Sequence, residues 1–159
     1  GTTIKGTAEE IVASANPEDL DYATATPDQK NQMWAFSHEA TEQLAATTDY
    51  RYIGADPNNY VKFNDELWRI IGVFDVDDGT GKIEKRMKII RNESIGNYSW
   101  DYTYTSSSSY TNEWKTAQLN TLLNSGAYYN RTTGRYYNGR TTASNVDFTS
   151  TGLTDATKK

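Results

Sequence analysis

The sequence of 159 residues contains no cysteine, one histidine and no long apolar run. The missing cysteines exclude disulfides and thiolate metal sites, although they do not fix the compartment in which the protein works. A membrane-spanning helix needs about 20 consecutive apolar residues, and the longest apolar run here, residues 70–74, is long enough only for a strand. We therefore predict a core built without disulfides or metals and no membrane span in this chain.

The lone histidine, His38, limits the catalytic classes that the sequence can support. On a helix, His38 and Glu42 would share one face, but a zinc peptidase would need a second histidine. A Ser-His-Asp triad would also have to use His38, and no serine lies in a Gly-x-Ser-x-Gly turn. We expect no catalytic residues of these classes and no cofactor.

Clustered positive charge is also scarce, since the net charge is -5 and the isoelectric point is near 4.9. Phosphate binding requires grouped lysines and arginines, so a nucleic-acid partner is excluded. Thr, Ser and Asn together make up 46 of the 159 residues, and the chain has 12 Tyr and 4 Trp. Cytosolic enzymes are richer in Leu, Ala, Glu and Lys, so we predict an extracellular or cell-surface location.

Helix signals mark the N-terminal region, which we predict to be an arm over residues 1–46. Thr7-Ala8-Glu9-Glu10 forms a capping box and predicts a short helix over 7–15. A second helix is predicted to begin at Thr26-Pro27, because proline favours the first helical position. Residues 33–38 fit either a continued helix or a strand, and we favour the strand.

The following region, residues 47–159, is predicted to be β-rich. Alternating apolar residues and turn signals predict an antiparallel meander with strands over residues 50–53, 60–63, 67–74 and 83–90. Alternation along 67–74 puts Leu67, Ile71 and Val73 on one side and Trp68, Ile70 and Phe74 on the other. Both faces are apolar, so we expect this central strand to be covered twice.

One helix is predicted after the meander, capped by Thr111 or Asn112 and ending near residues 125–126. Its apolar stripe consists of Trp114, Ala117, Leu119, Leu122 and Leu123. We expect this helix to pack on the sheet and Trp114 to be buried there. The predicted fold class is α+β, with an antiparallel sheet, one packing helix and the N-terminal helical arm.

Three aspartates, Asp75, Asp77 and Asp78, lie beside Gly79 and are candidate calcium ligands. An EF-hand loop requires glycine at its sixth position and glutamate at its twelfth, whereas counting from Asp75 gives Gly79 at the fifth and Arg86 at the twelfth. The Asp-Gly pair also fits a tight hairpin turn. We favour the turn and predict no metal site.

Aromatic residues carry the main functional signal. Eight of the twelve tyrosines lie between residues 98 and 137, among Asn, Ser, Thr and Arg, which is the mixture that binding surfaces favour. The candidate contact residues are Trp100, Tyr102, Tyr104, Tyr110, Tyr128, Tyr129, Tyr136 and Tyr137. A host glycan or a protein would suit such a surface as a ligand; the alternative is that several of these rings belong to the core.

Carboxylate pairs such as Asp65 with Glu66, or Glu93 with Asp101, could also serve glycoside hydrolysis if they converged in space. Three functions therefore remain open. We favour a non-catalytic binding or adhesion module, and the alternatives are a structural segment of a larger surface assembly and a carboxylate-based glycan hydrolase. The sequence does not indicate an oligomeric state.

Several blocks, in order, resemble a family of uncharacterised secreted or surface-anchored proteins of gut Firmicutes. The blocks are Tyr-Arg-Tyr-Ile-Gly at 50–54, Leu-Trp-Arg-Ile-Ile-Gly-Val-Phe at 67–74, Arg-Asn-Glu-Ser-Ile-Gly at 91–96 and Tyr-Ser-Trp-Asp at 98–101. The resemblance covers residues 33–155 and implies surface display, a binding role and partial similarity to C-type lectin-like folds. It implies no catalytic residues.

The resemblance also implies two differences between this chain and the family. Members commonly carry cysteines near the positions of Tyr136 and Val146, so the disulfide that these would form is absent here. Members also often continue beyond the position of Lys159, which predicts a β-rich domain that extends past it.

Overall fold

The computed structural model describes residues 7–15, 19–21, 23–27, 29–102, 111–139 and 141–158. Its fold is α+β, as predicted. The chain divides into two compact units, Gly1–Glu93 and Ser94–Lys159, which we call the sheet unit and the hairpin unit. The predicted boundary after residue 46 falls inside the sheet unit.

Two predicted N-terminal signals have the expected hydrogen bonds. Helix α1 spans Ala8–Ala15, and its capping box closes in both directions, because Thr7 N–H donates to Glu10 and Glu10 N–H donates to the Thr7 hydroxyl. Thr26 and Gln29 exchange the same pair of bonds. The element that follows is a single 3-10 turn, Gln29–Asn31, before the chain extends.

Five strands form the antiparallel sheet of the first unit. They are β1 (Met33–His38), β2 (Thr47–Tyr52), β3 (Tyr60–Phe63), β4 (Glu66–Asp77) and β5 (Ile83–Arg91). Strand β5 pairs along one edge of β4, while β3 and then β2 pair along the other edge. At the junction between β3 and β2, the buried Asn59 exchanges hydrogen bonds with Ile70, so the edge of β4 stays satisfied there.

A β-bulge in β4 changes which residues reach the core. Ile70 pairs with Ile89 and Gly72 with Lys88, so Ile71 is an extra residue without an opposite partner in β5. The extra residue reverses the alternation, and Ile70 and Val73 consequently lie on the same face, both fully buried. The prediction that Val73 lies on the face opposite Ile70 is therefore wrong.

Among the residues that the structure describes, a second layer of apolar residues closes only one face of the sheet. Ile11 of α1 packs with Met33, Ile70 and Val73 in one buried cluster. Tyr50, Tyr52, Val61, Met87 and Ile89 pack around that cluster. Burying these side chains supplies the main stabilisation of the sheet unit, since each buried aliphatic or aromatic side chain contributes about 1.5–3 kcal/mol.

The opposite face is open, which corrects the expectation that the central strand is covered twice. Leu67 and Ile71 on this face are each 44% exposed. Phe74 is buried there because the Arg51 guanidinium and the Lys88 ammonium lie 5.1 and 4.6 Å from its ring centroid. Trp68 of the same strand, whose two faces we expected to be covered, is only partly buried.

In its described residues, the hairpin unit contains two short α-helices and a two-stranded sheet. These are α2 (Gln118–Asn124), α3 (Ala127–Asn130), β6 (Thr133–Gly139) and β7 (Thr142–Asp147). Their core is mainly aromatic and consists of Leu122, Tyr128, Tyr136, Val146 and Phe148. The apolar side of α2 packs in this core, which corrects the expectation that it would pack on the sheet of residues 48–92.

Side chains that bond to backbone carbonyls hold much of the hairpin unit together. Arg131 ends α3 in the left-handed conformation, with φ of 55°. Its guanidinium donates hydrogen bonds to the carbonyl oxygens of Thr149, Ser150 and Gly152. One side chain therefore fixes the segment that follows β7 to the end of α3. Tyr136 and Val146 are both buried in this core.

Candidate functional site

Two exposed indoles form the most distinctive surface feature of the hairpin unit. Trp100 and Trp114 are 45% and 43% exposed. Their ring centroids lie 5.2 Å apart at an interplanar angle of 50°. A pair of indoles in contact with each other and with solvent forgoes burial energy, and large exposed apolar groups of this kind commonly mark binding sites.

Asp101, between Trp100 and Tyr102, connects this part of the chain to Thr111 and to the start of α2. Its carboxylate is buried and accepts hydrogen bonds from the backbone N–H of Thr111 at 2.7 Å and of Gln118 at 3.0 Å. The second bond satisfies the first N–H of α2, which has no acceptor within the helix. Asp101 therefore fixes residues 100–102 to the start of α2, and its two oxygens are occupied.

Further hydrogen bonds attach Gln118, the first residue of α2, and Ser99, the residue before Trp100, to β6. The Gln118 side chain both donates to the Tyr137 carbonyl and accepts from the Tyr137 N–H. Ser99 donates two hydrogen bonds to Asn138, from its N–H to the side-chain oxygen at 2.9 Å and from its hydroxyl to the backbone carbonyl at 3.0 Å. These four hydrogen bonds restrict the movement of the backbone beside the two indoles.

Burial raises the pKa of both Tyr98 and Tyr136 above the usual value for tyrosine. The Tyr136 hydroxyl donates to the Ser99 carbonyl, and the two rings meet edge to face with centroids 5.2 Å apart. The contact between these two tyrosines and the hydrogen bond to Ser99 therefore attach the backbone before Trp100 to β6.

A hollow of about 430 Å³ lies beside Trp100. Its lining consists of Ser99, Trp100, Asp101, Tyr102, Thr111 and Asn112. These residues combine two aromatic rings with hydroxyl and amide groups, and none of the six is basic. Such a lining suits a neutral ligand rich in hydroxyl groups, because the rings offer apolar faces and the polar groups offer hydrogen bonds.

The eight aromatic residues predicted to form a contact surface differ in how far they are exposed. Trp100 and Tyr102 are exposed, and Tyr129 and Tyr137 are partly buried. Tyr104 and Tyr110 lie outside the described residues. Tyr128 and Tyr136 are buried core residues, so we leave these two out of the candidate surface.

Sequence reasoning assigned Trp114 to the core of a helix, and this prediction is wrong. Trp114 lies in a 3-10 turn, Trp114–Thr116, and α2 begins only at Gln118. Within the predicted stripe, Ala117 and Leu122 are buried as expected. The change from 3-10 turn to helix at Ala117 rotates Trp114 away from that stripe, and no turn residue in the sequence marks the change.

The aspartates considered for calcium serve the β4–β5 turn. Asp77 accepts from Gly79 N–H and Gly81 N–H, Asp78 accepts from Thr80, and Asp75 pairs with Lys85 at 3.0 Å. In the part of the chain that the structure describes, no three acidic or histidine side chains gather as a metal site would require.

His38 lies at the end of β1, on a strand, so it does not share a helix face with Glu42. It instead pairs with Asp49 across the β1–β2 ladder at 3.3 Å. Of the hydrolase candidates, Glu66 is paired with Arg91 at 2.7 Å. Within the described ranges, no helix is long and apolar enough to cross a membrane.

Comparison with known proteins adds no family to this picture. No known protein family, curated protein or solved structure matches the chain. The resemblance to surface proteins of gut Firmicutes stays a prediction, and the site has to be judged on its own geometry.

Proposed function

We propose that this protein is a non-catalytic binding module of the cell surface or extracellular space, and that its hairpin unit binds a carbohydrate. The observation that carries the proposal is the exposed pair of Trp100 and Trp114 beside a polar hollow. Sugar rings present apolar C–H faces and hydroxyl edges, which match indole faces and neighbouring hydroxyl and amide groups respectively.

Two further features support binding over hydrolysis. Among the described residues that line the hollow, Asp101 is the one acidic residue, and its oxygens already accept two backbone hydrogen bonds. Glycoside hydrolysis needs two carboxylates that flank the scissile bond. The lining thus offers contacts that recognise a sugar without the pair of groups that would cleave it.

The test is a glycan array with neutral and acidic host-type oligosaccharides, followed by calorimetric titration of the ligands that bind. We expect neutral oligosaccharides to bind and the double variant Trp100→Ala/Trp114→Ala to weaken binding about tenfold or more, which corresponds to about 1.4 kcal/mol. Ile83→Ser serves as the control, because Ile83 is 59% exposed but belongs to the sheet unit and is not among the candidate contact residues.

Both indoles are exposed, so the double variant should keep a melting temperature near that of the wild type. Binding that survives in the double variant would refute the assignment of the site. An array without any bound glycan would refute the carbohydrate proposal and favour the structural-segment alternative.

A further inference from the structure

The open face of the sheet unit combines exposed aliphatic residues with positive charge. Its central members are Lys62, Leu67, Arg69, Ile71, Lys88 and Ile90, and we call this set the open face. Leu67 and Ile71 are each 44% exposed and Ile90 is 56% exposed. Three neighbouring aliphatic residues exposed to this degree on one sheet face are characteristic of a surface that a protein covers.

The charges of the open face are not all neutralised by nearby carboxylates. Arg51 and Arg86 at its margin pair with Asp49 and Glu84, at 2.9 and 3.2 Å. Lys62 and Lys88, by contrast, lie in no ion pair among the described residues. The face therefore offers two lysines to a partner that brings acidic groups together with an apolar side chain.

A segment with that chemistry occurs in the same unit, in the β1–β2 loop over residues 39–46. Leu44 in this loop is 71% exposed, the highest value among the exposed large hydrophobic residues. Glu39 and Glu42 precede it and are exposed, and the loop contains no basic residue. The loop thus carries one protruding apolar side chain flanked by two negative charges.

Internal hydrogen bonds give the loop a fixed shape. Thr41 N–H donates to the Leu44 carbonyl at 2.8 Å, and the Thr41 hydroxyl accepts from Gln43 N–H and Leu44 N–H. A loop already ordered in this way loses little conformational freedom on binding. The exposure of Leu44 shows that it does not contact the open face of its own molecule.

We propose that two copies of this chain associate by docking the β1–β2 loop of one copy on the open face of the other. Leu44 packs against Leu67, Ile71 and Ile90, while Glu39 and Glu42 face Lys62 and Lys88. Apolar contact supplies the attraction, and the opposite charges set the orientation. Because the surfaces differ, the contact is heterologous unless the two copies exchange loops reciprocally.

Sedimentation velocity over a wide range of protein concentration tests the proposal. The wild type should associate with rising concentration, and added salt should weaken the association because the charges are exposed. Leu44→Ser should weaken it about tenfold or more. Ile83→Ser is the matched control, since Ile83 is 59% exposed but pairs with Asp77 at the far end of β5, and it should associate like the wild type.

A charge exchange identifies the two surfaces. Lys62→Glu/Lys88→Glu and Glu39→Lys/Glu42→Lys should each fail to self-associate, and an equal mixture of the two variants should associate again. Lys62→Glu alone is the second variant if loss of the Lys88 contact with Phe74 impairs folding. A wild type that stays monomeric at every concentration, association unaffected by Leu44→Ser, or a mixture that stays monomeric would each overturn the proposal.

Discussion

The two units of this protein are held together in different ways. The sheet unit relies on long backbone ladders and a core that is mainly aliphatic, with Ile11, Met33, Ile70 and Val73 at its centre. The hairpin unit has short elements, an aromatic core and side chains such as Asp101, Gln118 and Arg131 that bond to distant backbone groups. Distant segments are thus joined by polar side chains in the hairpin unit, whereas strand pairing joins them in the sheet unit.

This difference determines which substitutions should matter in each unit. In the sheet unit the apolar contacts of one face decide stability, and single polar groups contribute less. In the hairpin unit a single side chain can satisfy several buried backbone groups, and losing it would leave those groups without partners. Three further experiments test the contrast.

The largest effect is expected at Ile70 in the sheet unit. Ile70 is fully buried, so Ile70→Ala should lower the free energy of unfolding by about 2–5 kcal/mol through lost transfer energy and a cavity. Ile71→Ala, one residue further along, should cost less than about 1 kcal/mol because that side chain is 44% exposed. Denaturant titration of both variants measures the difference, and equal losses would contradict the open face.

A smaller loss is expected at Asp101 in the hairpin unit. Asp101→Ala should lower the free energy of unfolding by about 1–3 kcal/mol, because the N–H groups of Thr111 and Gln118 lose their acceptor. Asp101→Asn keeps one acceptor oxygen and should lose less. Asp155→Ala is the control, since that side chain is 98% exposed and should change stability little. A loss at Asp155 as large as that at Asp101 would contradict the bridging role.

The smallest effect concerns a hydrogen-bonded turn of the same type that occurs once in each unit, at residues 78–80 and at residues 147–149. Asp78 accepts from the N–H and hydroxyl of Thr80 at 2.8 and 2.6 Å, and Asp147 accepts from the same groups of Thr149 at 2.9 and 2.6 Å. The hydroxyl bond, followed by the backbone bond, lowers the pKa of each carboxyl. Thr80→Val and Thr149→Val should raise these pKa values toward the usual range, as carboxyl NMR shifts would report.

The stability linked to these two carboxylates follows from the direction of the shift. A carboxyl whose folded-state pKa lies below the unfolded value of about 3.9 stabilises the fold above that pH. The contribution is lost as the pH falls through the folded-state pKa. The gap in melting temperature between wild type and each valine variant should therefore narrow at acidic pH, and a gap that widens there would contradict the assignment.

Sequence patterns predicted the sheet unit well where the signal was local. Strand β3 lies at the predicted residues 60–63, and the two-residue turn that follows has positive φ at Asn64 and Asp65. The capping box at Thr7 and Glu10 is present as predicted. Such signals depend on neighbouring residues, so the sequence contains them fully.

The site was harder to predict because its order comes from distant contacts. Trp100 and Tyr102, two of the candidate contact residues, are exposed, but nothing near Trp114 in sequence indicates that it meets Trp100. Likewise, the bond from Asp101 to Gln118 spans 17 positions. An alternating pattern also cannot reveal whether an apolar face is covered, and for this reason the open face was missed.

The bulge at Ile71 has a consequence for how β4 tolerates changes in length. Ile71 has no opposite partner in β5, so its deletion would leave Ile70 paired with Ile89 and Gly72 with Lys88 in a regular ladder, with Ile70 and Val73 still on the buried face. A one-residue deletion further along β4 would instead move every residue beyond it to the opposite face. The bulge is consequently a site at which this strand can lose a residue without exchanging its two faces.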